Sequence, residues 1–238
     1  VDGAVSALGI CVPVRNEEQR LDNALAALHR AAHHPALRGT PVCVAVVLDG
    51  CNDGSGAIAA GFARAFSGRS HHAVVVERPT GRGNVGAARR AGVAAILGHL
   101  GTDDTWLAST DADSMVPPRW LVHQLGADVD AWAGTVALTP GDRGSAGRAE
   151  HFELRYDDQR RRPVHGANLG VSAAAYLAAG GFPAWRHSED RGLWRRLGAT
   201  GARRLHDAGC PVMTSGRREA RAPSGFATWL GGLEAPAS

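Results

Sequence analysis

Four short apolar runs punctuate the first half of the chain: ALGICVPV (7–14), VCVAVVL (42–48), HAVVV (72–76) and WLAS (106–109). Their length and β-branched content predict strands, and the Ala-, Leu- and Arg-rich stretches between them predict helices. The resulting βαβαβαβ order predicts an α/β fold, a mostly parallel sheet wrapped by helices, with ligands collecting at the carboxyl ends of the strands. Further along, DVDAWAGTVAL (128–138) predicts another strand and TPGDRGSAGRAE a Gly/Ser-rich break. GANLGVSAAAYLAAGG then reads as a strand running into a short helix stopped by glycines, and SEDRGLWRRLGATG as a helix with Ser188 at its N-cap. A length of 238 residues suits one α/β domain. We assign it to residues 1–220, in two halves meeting near residue 115, followed by a Pro-, Gly- and Ala-rich tail at 221–238.

Composition narrows the chemistry. All 26 basic residues are arginines, so a lysine Schiff base and a P-loop lysine are both excluded. A formal charge of +3, carried by scattered arginines, does not make a nucleic-acid surface, whereas anionic small molecules remain suitable partners. Cys11, Cys43, Cys51 and Cys210 show no CxxC spacing, and the first two sit in apolar runs, which predicts reduced thiols. No stretch approaches the ~20 apolar residues of a transmembrane segment. Together these features predict a cytoplasmic protein.

Polar clusters follow the predicted strands: RNEE after the first, DGCNDGS at the end of the second, RPTGRGNVG after the third and TDADS after the fourth. Asp111 and Asp113, two residues apart at a strand end, either share a hard divalent cation such as Mg²⁺ or Mn²⁺ or cap the amides of a turn. GRGNVG (81–86) also fits the dinucleotide pattern G-x-G-x-x-G, which would suggest an NAD(P)-dependent oxidoreductase. Against that, the motif follows the third strand, Pro79 separates the two, and no acidic residue ends a next strand about 20 residues on.

In order and spacing, VPVRNEE, LDGCNDGS, GNVGAARRAG, TDADS, GANLGVSAAAYLAAGGF and SEDRGLWRRLG resemble the nucleotide-sugar-dependent glycosyltransferases of family 2, which have the GT-A fold. The resemblance covers about residues 8–218 and places the nucleotide sugar in the first half and the acceptor in the second. It implies donor binding by Pro13, Val14, Arg15, Glu17, Asp49, Asn84, Gly86, Arg89, Asp111 and Ala112. Asp49 would accept from the N–H of a uracil or guanine base. Arg15 departs from the aromatic or small residue common at its position, although a guanidinium plane also stacks on a base.

The same resemblance implies Asp113 as metal ligand, with Asp111 facing the ribose or the metal's water shell. Asp190 becomes the general base of an inverting transfer, Glu189 orients an acceptor hydroxyl, and His165, Gly166 and Asn168 form the wall under the donor sugar or acceptor. Asn168 is equally compatible with satisfying buried backbone groups. The donor would be of UDP, GDP or dTDP type, and the acceptor a hydroxyl on a small molecule, lipid or glycan. A different class, a nucleotide-binding protein without turnover, would keep the Asp49 and Asp113 interactions and lack a productive base. Arg82, Arg217, the run Arg160 to Arg162 and His206 are weaker candidates for anion or metal contacts.

Overall fold

The computed structural model of the protein describes residues 5–78, 83–139 and 164–216. Eight strands form one sheet, ordered β3-β2-β1-β4-β7-β6-β8-β5. The predicted first strands are β1 (Ala7–Val14), β2 (Val42–Asp49), β3 (His71–Arg78) and β4 (Thr105–Ser109), and they pair in parallel. Helices α1 (Leu21–Ala32), α2 (Ser55–Phe66) and α3 (Val85–Leu100) connect them. Beyond β4 come β5 (Ser114–Met115), α4 (Trp120–Leu125) and β6 (Ala131–Leu138). A 3₁₀ turn at Gly166–Asn168 leads into β7 (Leu169–Ser172), α5 (Ala173–Ala178), α6 (Glu189–Ala199) and β8 (Arg204–Thr214). Strand β7 runs antiparallel between β4 and β6, so the parallel half and the later strands share one sheet.

The uniformly apolar character of β1 and β2 follows from burial on both faces. Leu8, Ile10, Val12, Val14 and Val42, Val44, Val46, Leu48 point into a core shared with α1, α2 and α4. Cys11, Cys43, Ala45 and Val47 point the other way, beneath α3 and α6. Helix α3 approaches this second face closely. A Cβ on Gly92 would lie 2.5 Å from Cys11 Sγ, and one on Gly9 2.3 Å from Ile96. The four cysteines are free thiols, and burial pushes Cys11 up to about 12 and Cys43 up to about 11, consistent with their reading as small hydrophobes.

Three elements escape the sequence pattern: β5, α4 and β8. Strand β8 is exposed or half-buried over its first six residues and buries only Cys210, Val212 and Thr214; it includes Gly209 and Pro211, and its register against β6 shifts between Gly134 and Val136. Ser188 occupies the N-cap of α6 as expected, yet it adopts a left-handed φ of 60° and its side chain makes no capping bond. The N–H of Arg191 bonds to Asp190 Oδ1 instead, at 2.7 Å. The break at 140–150 and the tail at 221–238 lie outside the described residues.

Candidate active site

The carboxyl ends of β1, β2, β3 and β4 carry the loops singled out by sequence, and backbone and side-chain hydrogen bonds fasten the first two together. Asn16, at φ 53°, accepts from the N–H of Asn52 at 2.9 Å, and Ser55 Oγ accepts from the N–H of Glu17 at 2.8 Å. Glu18 accepts from the N–H of Gly54 at 2.8 Å, while Asp53 accepts from the N–H groups of Glu18 and Ser55. Burial works against ionised Asp53, but these bonds and the Ser55 hydroxyl outweigh it and hold the carboxyl below its usual range. Glu17 and Val14 are both buried, and Val14 has only its backbone to offer a ligand. Its carbonyl already accepts from Cys51 Sγ. Pro13 and Arg15 are half-buried, and the Arg15 guanidinium lies along Gly83 and bonds to the carbonyl of Asp49 at 3.3 Å.

Asp49 ends β2 with a side chain only 5% exposed. Its Oδ1 accepts from Arg78 at 2.7 Å and its Oδ2 from the N–H of Asn84 at 3.1 Å. The direct base contact implied for this carboxylate therefore has to be shared with protein donors, and Arg78, the more exposed partner, belongs to the same surface. Sequence reasoning missed Arg78. Strand register was the available signal, because Asp49 and Arg78 are direct partners across β2 and β3.

Asn84 caps α3, its Oδ1 accepting from the N–H of Ala87 at 2.9 Å, and its amide donates to the carbonyl of Ala184 at 3.0 Å. Gly86 gives its N–H to the carbonyl of Trp185 at 3.0 Å. Both residues thus fasten the segment before α6 rather than project toward solvent.

The acidic loop after β4 places Asp111 and Asp113 half-buried, with Ala112 buried between them. Asp111 Oδ1 is paired with Arg89 at 2.5 Å, and Ser114 Oγ donates to Asp113 Oδ1 at 3.3 Å. Arg89, expected at the nucleotide, is instead 2% exposed beneath the site floor. It reaches Asp111, Glu189 Oε1 at 3.3 Å and Ser109 Oγ at 3.4 Å. Burial disfavours its charge, but Asp111 and Glu189 outweigh that and keep it protonated.

Across that guanidinium stands the start of α6. Glu189 is buried, and desolvation, reinforced by Asp190 and opposed by Arg89, pushes it up to about 7. Asp190 is half-buried and held on both oxygens, Oδ2 by the N–H of Gly166 at 2.9 Å and Oδ1 by that of Arg191. His165 beside it is lowered to about 4 by burial, against the pull of Asp190, so its imidazole is neutral at physiological pH.

Asn168 is fully buried: its Nδ2 donates to the carbonyls of Thr135 at 2.7 Å and Cys210 at 3.0 Å, and its Oδ1 accepts from Trp120 Nε1 at 2.8 Å. The amide joins β6, β8 and α4, which is the backbone-satisfying role that the sequence also allowed it. His206 packs edge-on against Trp194, with ring centroids 4.7 Å apart. Arg82, Arg160 to Arg162 and Arg217 lie outside the described residues.

Among the described residues no group of three or more His, Cys, Asp or Glu could hold a metal ion. Asp113 and the second oxygen of Asp111 supply two hard donors. That set fits Mg²⁺ or Mn²⁺, which commonly take one or two carboxylates and complete their shell with water and substrate phosphate. It does not fit a closed structural zinc site.

A mostly parallel sheet whose carboxyl edge carries an Asp-x-Asp loop and, across the Arg89 guanidinium, a carboxylate fixed at the start of α6 is the arrangement of the GT-A class of α/β proteins. The family described as Glycosyl transferase family 2 matches residues 9–178, and the chain belongs to it. No curated protein matches the sequence. Among solved structures, S. aureus TarS 1–349 in complex with UDP-GlcNAc shares 17% identity at TM-score 0.67, covering 92% of this chain and 61% of that one. The mannosyltransferase PcManGT from Pyrobaculum calidifontis, in complex with GDP-Man and Mn²⁺, shares 20% at TM-score 0.60, covering 93% and 59%. Glucosyl-3-phosphoglycerate synthase of M. tuberculosis shares 15% at TM-score 0.54, covering 91% and 74%. The chain thus spans about three-fifths of the length of TarS 1–349 and of PcManGT. Among the described residues no helix is long and apolar enough to cross a membrane.

Proposed function

We propose that the protein transfers a sugar from a nucleoside diphosphate sugar to an acceptor hydroxyl with inversion at the anomeric carbon. The observation that carries this reading is the separation of Asp111 and Glu189 by a single guanidinium, which sets the Asp-x-Asp loop beside the carboxylate of Asp190. The nucleoside would lie along Pro13, Arg15, Asp49 and Arg78, and the diphosphate beside Asp111 and Asp113. A Mg²⁺ or Mn²⁺ ion held by Asp113 and Asp111 would neutralise charge developing on the diphosphate, a task for which the chain has no lysine.

Asp190 performs the proton transfer. Its carboxylate takes the proton of the acceptor hydroxyl as that oxygen bonds to the anomeric carbon and the bond from that carbon to the diphosphate oxygen breaks, its electron pair leaving with the nucleoside diphosphate. Such general-base assistance is typically worth roughly a hundred- to ten-thousand-fold. Two backbone N–H groups fix the carboxylate, so little reorganisation accompanies the step. Neutral His165 and Gly166 line the acceptor side. The donor is of UDP, GDP or dTDP type.

A thermal-shift panel of UDP, GDP, dTDP and their sugars, with Mn²⁺ and with chelator, tests the binding half, since a ligand of the native state alone raises Tm. At least one nucleotide should stabilise the protein more with Mn²⁺, and equal shifts would remove the metal from the scheme. Asp190→Asn should keep that shift and lose donor hydrolysis or transfer. Unchanged turnover would reject Asp190 as the base.

A further inference from the structure

We infer that Arg89 is a positioning residue that locks the Asp-x-Asp loop to the base-bearing helix, with Glu189 as its anchor rather than an acceptor ligand; this rests on the transfer reading above. Four contacts converge on one buried guanidinium. Its Nη2 bonds to Asp111, its Nε is ion-paired with Glu189 Oε1 at 3.3 Å without a hydrogen bond, its Nη1 reaches Ser109 Oγ at 3.4 Å, and the Phe182 ring lies 5.9 Å from its central carbon. These partners come from the end of β4, the loop after it, the start of α6 and the segment before α6. A side chain with 2% exposure has almost no surface left for a nucleotide.

The 3₁₀ turn that holds Asp190 rests on the same group. A Cβ on Gly166 would lie 2.3 Å from Arg89 Nη2 and 2.6 Å from its Cζ, so the turn sits directly against the guanidinium. From there the Gly166 N–H reaches Asp190 Oδ2. The chain of contact therefore runs from Asp111 through Arg89 to Glu189, the residue before the base in α6, and to Gly166, whose N–H holds Asp190 Oδ2. A planar fork can serve two carboxylates at fixed angles, whereas a lysine ammonium is a single point of charge. Arg89→Lys preserves the charge and breaks the fork, and Glu189→Gln preserves shape and removes the anion.

The test uses the whole chain with two readouts. In nitrogen-15 spectra of arginine side chains, the Arg89 Nε–H, assigned by its loss in Arg89→Lys, should exchange slowly, stay in place on addition of UDP or GDP with Mg²⁺, and move in Glu189→Gln. In donor hydrolysis, each variant should lose about ten- to a hundredfold in kcat with donor KM within about threefold. The double variant should be no worse than the poorer single one, because both break one network. A nucleotide-induced shift larger than that in Glu189→Gln overturns the assignment, as does a raised donor KM at unchanged kcat. A wild type that hydrolyses no donor refutes the transfer reading instead, and the resonance test still decides the role of Arg89.

Discussion

Gly86 offers a sharp test of how the site is assembled. It is the second residue of α3, where alanine ordinarily gains about 0.5–1 kcal/mol over glycine. Here an added Cβ would lie 2.1 Å from the carbonyl oxygen of Pro183, 2.8 Å from the N of Trp185 and 2.9 Å from its O. All three atoms are backbone, so no rotamer change relieves the contact. Either α3 or the 183–185 segment must move, and the bond from the Gly86 N–H to Trp185 breaks with it. Overpacking costs about 1–3 kcal/mol and the lost bond about 1 kcal/mol, against a helix gain of up to about 1 kcal/mol. Gly86→Ala should therefore lose about 1–3 kcal/mol, a fall in Tm of about 2–12 °C for a chain of this length.

The control lies in the same helix. Gly98 is exposed, and its added Cβ would meet nothing within 4 Å. Gly98→Ala should gain about 0.5–1 kcal/mol and raise Tm by about 1–4 °C. Scanning calorimetry of both variants, with urea unfolding at 25 °C, separates the two cases. Because Asn84, next to this junction, donates to Asp49, Gly86→Ala should also weaken nucleoside diphosphate binding, whereas Gly98→Ala should not. A Gly86→Ala protein as stable as the wild type would show that α3 and the segment before α6 do not pack as described, and would remove the support for the arrangement of the site.

Asn168→Ala should cost about 2–5 kcal/mol in urea unfolding, since it strands Trp120 Nε1 and two carbonyls at a fully buried position. A loss under about 1 kcal/mol would contradict its structural role. Asp207 accepts from His123 at 2.6 Å, Trp132 Nε1 and the N–H of Gly209, and although burial works against its charge, these bonds lower its pKa. A lowered carboxylate stabilises the fold fully above its unfolded value of ~3.9 and loses that contribution as pH falls through the folded value. The Tm deficit of Asp207→Asn should accordingly be full at pH 7 and shrink toward pH 3, and a deficit that grew in acid would reverse the sign of this argument. In native protein, iodoacetamide should reach half-exposed Cys51 well before Cys11 and Cys43, which should react only on unfolding. Mass spectrometry finding Cys11 modified first would contradict the packing of α3 on β1.

Legibility in the sequence tracked the range of the interactions involved. Strands β1 and β2 were plain because burial on both faces leaves an unbroken apolar run, and the Asp-x-Asp and Glu-Asp pairs because each is a local motif. Strand β8 was opaque for the opposite reason: RLHDAGCPVMT is half-exposed, bulged and interrupted by Gly and Pro, and its partner β6 lies about 70 residues earlier. At the site, Arg78 and Asp49 become partners only once two strands are in register, and Arg89 meets Glu189 across 100 positions, beyond any motif. Asn168 shows the converse, since its neighbours in sequence look like a site and its bonds belong to the core.

The buried arginine follows from the electrostatics of the cleft. Asp111, Glu189 and Asp190 bring carboxylates from two walls close together, and like charges above a low-dielectric floor repel one another. One permanently protonated guanidinium offsets that repulsion from below while leaving the solvent side of Asp111 open. Glu189, fully enclosed, still rises to about 7, whereas partly exposed Asp190 is supported by backbone N–H donors. Burying the charge is tolerable only because Arg89 is paired on two sides, and breaking either pair would leave an uncompensated ion inside the protein. The same pairing that makes the guanidinium affordable in the core is what ties the two walls of the cleft to a single geometry.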